Sequence, residues 1–206
     1  MGISLSRNVI NVFLSLYNTK KVAAPGNLFH VQIEDVVSLV SRTGRHLQRY
    51  DKDRRQVVGC IPYRYRGIEG GSAGDEEIEV LLVSSQKGGK GMMFPKGGWE
   101  IDETMEQAAL RETREEAGVV GTLEDKLGKW MYKSKSNGSY HDGYMFSLHV
   151  NMQLESWPEK DLRKRRWVTA AEAREACPHG WMKEALDELV YRLKKQQNGE
   201  PDAFSS

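Results

Sequence analysis

Two nearly continuous apolar runs, Gln56–Tyr65 and Ile78–Ser85, are rich in β-branched and aliphatic residues and predict strands. The stretch 66–76, RGIEGGSAGDE, supplies the turn between them. Met92–Pro95 predicts a short third strand. After Thr104 the apolar spacing lengthens to that of a helix, with Ala109, Leu110, Thr113 and Ala117 on one side. Thr104 and Gln107 form a capping-box pattern with Asp102 as a rival cap, and Gly118 is the natural C-terminal stop. Leu127–Ser134 predicts another strand and Ser136-Asn137-Gly138 a turn. Tyr144, Phe146, Leu148, Val150 and Met152 then alternate with a period of two. Arg163–Val168 leads into a last strand. Ala170–Ala176 begins one helix, and Trp181–Lys195 forms a second with Trp181, Ala185, Leu186, Leu189 and Leu193 on its inner side. There is no internal repeat. Strands, one long helix, more strands and C-terminal helices predict an α/β fold: a mixed β-sheet with helices on both faces.

The polar positions of the central helix change the picture. At about 100° per residue, Glu112, Glu115 and Glu116 occupy roughly a quarter of its circumference. Glu112 and Glu116 are a like-charge i,i+4 pair, which by itself destabilises a helix. A solvated acidic helix is one account; a cluster neutralised by a bound cation is the other. Oxygen donors at this density suit Mg²⁺ or Mn²⁺. Arg111, four residues before Glu115, is placed to hold that carboxylate. Gly97 and Gly98 let the preceding loop turn tightly and bring backbone carbonyls close. With no Cys/His cluster nearby, zinc and a Ser or Cys nucleophile are disfavoured, and metal-assisted hydrolysis fits better.

The run Gly97–Val119, GGWEIDETMEQAALRETREEAGV, resembles the signature box of the Nudix hydrolases, matching it at Gly97, Glu103, Arg111, Glu112, Glu115, Glu116, Gly118 and Val119. It departs once, with Thr113 where the family carries a bulky aliphatic. The resemblance implies a Nudix-type α/β/α sandwich, Mg²⁺ (or Mn²⁺) as cofactor, and cleavage of a phosphoanhydride in a diphosphate-linked substrate. It implies Glu112, Glu116 and the Lys96 backbone carbonyl as metal ligands, Glu115 as proton acceptor or further ligand, and Arg111 as the residue that orients the glutamates. Phe94–Glu100 (FPKGGWE), Ser84-Ser85 and Arg165-Arg166-Trp167 resemble one branch of that family, the diphosphoinositol polyphosphate and diadenosine polyphosphate phosphohydrolases. Over most of 38–190 the chain is similar to plant members of that branch. The proline-rich run after the box that marks NADH and ADP-ribose enzymes is absent, since no proline lies between 96 and 157.

Charge adds a substrate class. Lys+Arg is 30 against Asp+Glu 29, so net charge selects no partner, and no nucleic acid is expected. The distribution is uneven: acids gather in the box, and basic residues in the segments around it. The stretch 38–56 carries Arg42, Arg45, Arg49, Arg54 and Arg55. With Lys87, Lys90, Lys96, Lys133, Lys135 and Lys164, Arg54 and Arg55 are candidates for binding a highly phosphorylated small molecule, because guanidinium and ammonium groups pair with phosphate oxygens. Ordinary surface lysines are the alternative for each taken singly. Trp99 and Tyr132 are the aromatics available to a nucleobase. Residues 84–91, SSQKGGKG, lack the arrangement of a P-loop. This points to diphosphoinositol polyphosphates first and diadenosine polyphosphates second. From other classes, a non-catalytic polyphosphate-binding module and a membrane-targeted interaction protein stay open.

Two cysteines, Cys60 and Cys177, give neither a disulfide framework nor a metal spacing, and suit a reducing compartment. Residues 1–33 contain no Asp or Glu, and their apolar run 9–17 is too short to span a bilayer. The expectation is a cytoplasmic or also nuclear protein with a flexible extension at 1–37, a catalytic domain at 38–195 and a disordered tail at 196–206. A mitochondrial or plastid transit segment, or weak membrane anchoring through N-myristoylation at Met1-Gly2-Ile3-Ser4-Leu5-Ser6, is the alternative.

Overall fold

A computed structural model describes residues 41–42, 44–67, 76–86, 91–134 and 138–197. All lie within one compact unit, Glu34–Ser206. The expectations for 1–37 and for Lys87, Lys90 and Lys135, and most of the tail, lie outside the described residues.

The strands are β1 (Tyr50–Asp51), β2 (Arg54–Gly67), β3 (Glu76–Ser84), β4 (Met92–Met93), β5 (Lys96–Gly98), β6 (Val119–Lys133), β7 (Tyr140–Gln153) and β8 (Arg165–Thr169). The helices are α1 (Met105–Ala117), α2 (Ala170–Ala176) and α3 (Gly180–Gln197). One sheet runs β4-β3-β2-β7-β6, with β1 and β5 attached to β2 and β8 to β3. Among the described residues only the β2–β7 pairing is parallel, so the sheet is mixed.

The apolar runs lack simple alternation because both faces of the sheet are covered. In β3, Leu81 and Val83 join α1's Ala108, Ala109 and Ala117 in one core, while Val80 and Leu82 join α3's Met182, Leu186, Leu189 and Leu193 in the other. β2 divides likewise, Val58 and Cys60 toward α1, Ile61 and Tyr63 toward α3. This is the expected α/β/α sandwich.

Both ends of α1 match the sequence signals. Thr104 and Gln107 exchange capping-box hydrogen bonds, and Gly118 ends the helix at φ 61°. Its packing face differs from expectation. Leu110 is 39% exposed, whereas Ala108 is fully buried and Glu115 and Glu116 are only 8% and 5% exposed. The buried arc is rotated toward the carboxylates, so acids and alanines share one side. Thr113 is fully buried on that side. β6 begins at Val119, eight residues before the expected Leu127. Register shifts at Val120/Gly121, Leu123/Lys126 and Lys126/Gly128 scramble its period-two pattern. Gly97 and Gly98 belong to β5 rather than to a loop.

Candidate active site

Strand β5 lies between β2 and α1 and delivers backbone to the carboxylates. The Pro95 carbonyl accepts from Cys60 N–H and Trp99 N–H donates to the Gln56 carbonyl, so residues 95, 97 and 99 face β2. By the alternation of an antiparallel ladder, residues 96 and 98 face the other way, toward α1. There Lys96 N–H donates to Glu116 Oε2 (2.9 Å) and the Gly98 carbonyl accepts from Arg111 Nη2 (2.9 Å). The Lys96 carbonyl therefore sits on the glutamate side. A Cβ on Gly97 would fall 2.0 Å from Glu112 Oε2, so close approach of strand to carboxylate is what requires glycine there.

Arg111 is the hub. Its guanidinium donates to both oxygens of Glu103 (2.7 and 2.9 Å) and to Glu112 Oε1 (2.8 Å), with Glu115 Oε1 at 3.6 Å. Its main grip is thus on Glu103 and Glu112, and the expected hold on Glu115 is the weakest contact. Glu115 Oε1 also accepts from the Arg42 N–H (3.4 Å). Glu116 pairs with Arg163.

A further buried acid beside these glutamates, Glu159, in the loop after β7, escaped the sequence reading. It accepts from Gln86 Nε2 (2.7 Å) and Arg163 Nε (2.5 Å), and its N–H donates to the Glu115 carbonyl (3.1 Å). Its signal was an i,i+4 pair with Arg163, in a segment with no periodicity to mark it.

Burial, then repulsion from Glu112, pushes Glu115 up to about 7; burial, against Lys96 and Arg163, pushes Glu116 up to about 7. Burial also raises Glu112 despite Arg111. Among the described residues no three acidic, His or Cys side chains stand as a finished metal cage, because each glutamate is turned to a basic side chain or a backbone N–H. The donor set of Glu112, Glu115, Glu116 and the Lys96 carbonyl nevertheless fits a hard divalent cation. All are oxygens, the three carboxylates share one arc of α1, and burial, the largest cause of their raised proton affinity, penalises a charge that a bound cation would stabilise.

Of the expected substrate cations, Arg55, Lys96 and Lys133 converge on one cavity of about 500 Å³, which Gly97 also lines. Tyr132 stands in its wall, stacked on Trp181 with ring centroids 4.7 Å apart. His141 lines it too; burial, then Arg55, Arg45 and Lys96, push that imidazole down, favouring its neutral form. Two expected residues go elsewhere. Arg54 Nε is bound to the buried Asp142 (3.0 Å), which removes it from the cavity wall. Lys164 lines a second cavity of about 590 Å³ with Lys160 and Arg163. Ser85 borders both cavities. Trp99 lies under the Arg49 guanidinium (4.2 Å) and donates to the Glu103 carbonyl, outside both cavities. A larger groove of about 720 Å³, between α2, α3 and the start of β3, contains none of the box residues.

Residues 69–191 match the family model of the NUDIX domain. The chain is 59% identical over 180 residues to Nudix hydrolase 4 of Arabidopsis thaliana, covering 87% of this chain and 83% of that protein. It is 55% identical over 195 residues to Nudix hydrolase 21, chloroplastic, of the same plant, covering 94% and 93%. It is 39% identical over 101 residues to diphosphoinositol polyphosphate phosphohydrolase 3-alpha of Mus musculus, covering 48% and 60%. Among solved structures, a Caenorhabditis elegans Ap4A hydrolase in a binary complex matches with a TM-score of 0.52 at 22% identity, covering 68% of this chain and 97% of that one.

Proposed function

The chain belongs to the Nudix hydrolases, enzymes that cleave phosphoanhydrides, and from that premise we propose that its substrates are diphosphoinositol polyphosphates, hydrolysed with Mg²⁺ as cofactor. The observation that carries this reading is the position of Gly97, which lies against Glu112 and also lines the cavity walled by Arg55, Lys96 and Lys133. A scissile anhydride at Gly97 would have carboxylates on one side and cations on the other. A small ring bearing many phosphates uses separated cations well, because each pairs with its own phosphate. The partial similarity to the mouse diphosphoinositol enzyme points the same way.

In this reading Glu112, Glu116, Glu115 and the Lys96 carbonyl hold the cation. When bound, it would polarise phosphate oxygens and lower the pKa of the attacking water. Glu115, with a proton affinity near neutral, is suited to accept the proton of that water. Arg111, braced by Glu103, fixes the Glu112 carboxylate. Arg55, Lys96 and Lys133 bind the phosphates that do not react.

A second reading, diadenosine polyphosphates, is favoured by the Tyr132–Trp181 stack, an aromatic wall on which a purine could lie. The two separate by kcat/KM on diphosphoinositol polyphosphate and diadenosine hexaphosphate, in wild type and Lys133→Glu at fixed Mg²⁺. The inositol reading expects the higher value for the inositol substrate and its selective loss on charge reversal. A higher value for the dinucleotide, untouched by the substitution, would select the second.

For location, no helix among the described residues is long and apolar enough to cross a membrane. The acid-free segment 1–33, together with a relative whose name carries "chloroplastic", supports an organellar address over the cytoplasmic one. Fusing residues 1–33 to a fluorescent protein tests this, and diffuse cytoplasmic signal would refute it.

A further inference from the structure

The loop between β7 and β8 carries an ion pair that the box does not account for. The Arg163 side chain is only 9% exposed. Its Nε donates to Glu159 Oε2 (2.5 Å), its Nη1 to the Ser84 carbonyl (2.8 Å), and its Nη2 to Glu116 Oε1. The other Glu116 oxygen takes the Lys96 N–H, so both oxygens of this buried carboxylate are engaged. The loop itself is pinned to the end of β3, where Lys164 N–H donates to Ser84 Oγ (3.0 Å) and Ser84 N–H to the Lys164 carbonyl (2.9 Å). Arg163 thus has two anchors, Glu159 and Ser84, that do not depend on Glu116.

We propose that Arg163 is the internal counter-ion of Glu116, competing with the divalent cation for Glu116 Oε1 and thereby setting the affinity of the site. The inference rests on the reading that Glu116 holds that cation. Arginine stays protonated at any working pH, so it cannot leave by losing its charge. A guanidinium and a divalent cation on one oxygen repel strongly where screening is weak. One of them must yield, and the anchors on Glu159 and Ser84 let Arg163 release Glu116 without leaving its loop. Arg111 makes a comparable contact with Glu112 Oε1, its other donors being held by Glu103 and the Gly98 carbonyl. As a positioning residue, Arg163 holds the Glu116 carboxylate in place until the site fills.

Mn²⁺ binding to the full chain, followed by the electron paramagnetic resonance of the free ion, reads this directly, alongside the melting temperature of the metal-free protein. Losing a charge-assisted competitor should make Arg163→Met bind Mn²⁺ about tenfold more tightly. Metal-free, that variant should melt lower than wild type, and saturating Mn²⁺ should restore most of the loss. Arg163→Lys, whose single ammonium cannot span Glu159 and Glu116 as the fork does, should move affinity the same way by less; it stands in if the methionine variant does not fold. Lys160→Met removes a nearby exposed charge without touching Glu116 and should leave affinity unchanged. Equal or weaker Mn²⁺ binding in the Arg163 variants, or an equal gain in Lys160→Met, would overturn the proposal. Glu116→Gln separates it from the reading beneath it. Unchanged affinity there overturns the site assignment and this inference together. Lowered affinity there with no gain in Arg163→Met overturns this inference alone.

Discussion

Around α1 nearly every charge is held by another part of the chain. Glu103 braces Arg111, Arg111 holds Glu112, and Lys96 N–H and Arg163 hold Glu116. Across Gly97, two of the cavity cations donate to neutral groups. Arg55 leans on a neutral amide, Gln48 Oε1 (2.6 Å), and Lys96 Nζ on a thioether, Met93 Sδ (3.3 Å). The contrast has a functional logic. Groups that act on the reacting atoms must be preorganised, because misplacement by an ångström costs rate. Groups that pair with peripheral phosphates can adapt, and their charge is most useful when no carboxylate neutralises it. Substitutions at the first end should therefore damage turnover, and those at the second should damage binding.

The largest expected effect is at Glu115. Glu115→Gln should lower kcat by roughly 10²–10⁴-fold, the range for loss of a general base. Because it removes one of three crowded buried carboxylates, the metal-free melting temperature should hold or rise. Near-wild-type turnover would remove Glu115 from the chemistry. Gly97→Ala comes next. Its Cβ would overlap the Glu112 carboxylate, the end of a flexible side chain, which must swing away. The fold should survive while kcat falls by about 10²-fold; unchanged kcat would mean that the position of Glu112 is not critical.

These two residues were legible because the box is one contiguous stretch in which local rules suffice. Thr104, Gln107 and Gly118 are read from helix-end chemistry, and the glutamates from helical spacing. What the sequence hid depends on distant partners. An apolar arc that excludes acids would turn Leu110 inward; the loop carrying Glu159 and Arg163, far along the chain, covers the carboxylates and shifts the buried arc. Arg54 and Arg55 are adjacent and look equivalent, yet one meets a buried aspartate from β7 and the other faces the cavity. A long edge strand with three register shifts cannot announce its own start.

At the cavity the expected change is in KM. Lys133→Glu should raise KM for the inositol substrate by about tenfold, the scale of one lost charge-assisted contact, while kcat changes little. KM in the wild type should climb with salt, since exposed charges are screened. A fall in kcat with KM unchanged would place Lys133 among the fixed groups instead.

The smallest effect on catalysis is expected at Asp142, which tests where the boundary between the two regions runs. Asp142 is 1% exposed and binds Arg54 Nε (3.0 Å), Lys129 Nζ (3.0 Å) and Gln56 Nε2 (3.2 Å). Burial opposes its ionisation, but these three donors outweigh it and hold its carboxyl below the ordinary value. A depressed folded pKa contributes stability above the unfolded value, near 3.9, and that stability is lost as pH falls through the folded value. Asp142→Asn should therefore melt lower at pH 7, by about 1–3 kcal/mol for the lost ionic hydrogen bonds, the partners Arg54 and Lys129 being partly solvated. The deficit should shrink below about pH 4, where the wild-type carboxylate also protonates. Because Arg54 is spent on this acid, kcat and KM at neutral pH should stay within about twofold, a change below the worth of one hydrogen bond. A marked fall in KM would show that freeing Arg54 adds a phosphate-binding cation, and that the fixed and adaptable regions meet at Arg54 rather than at Gly97.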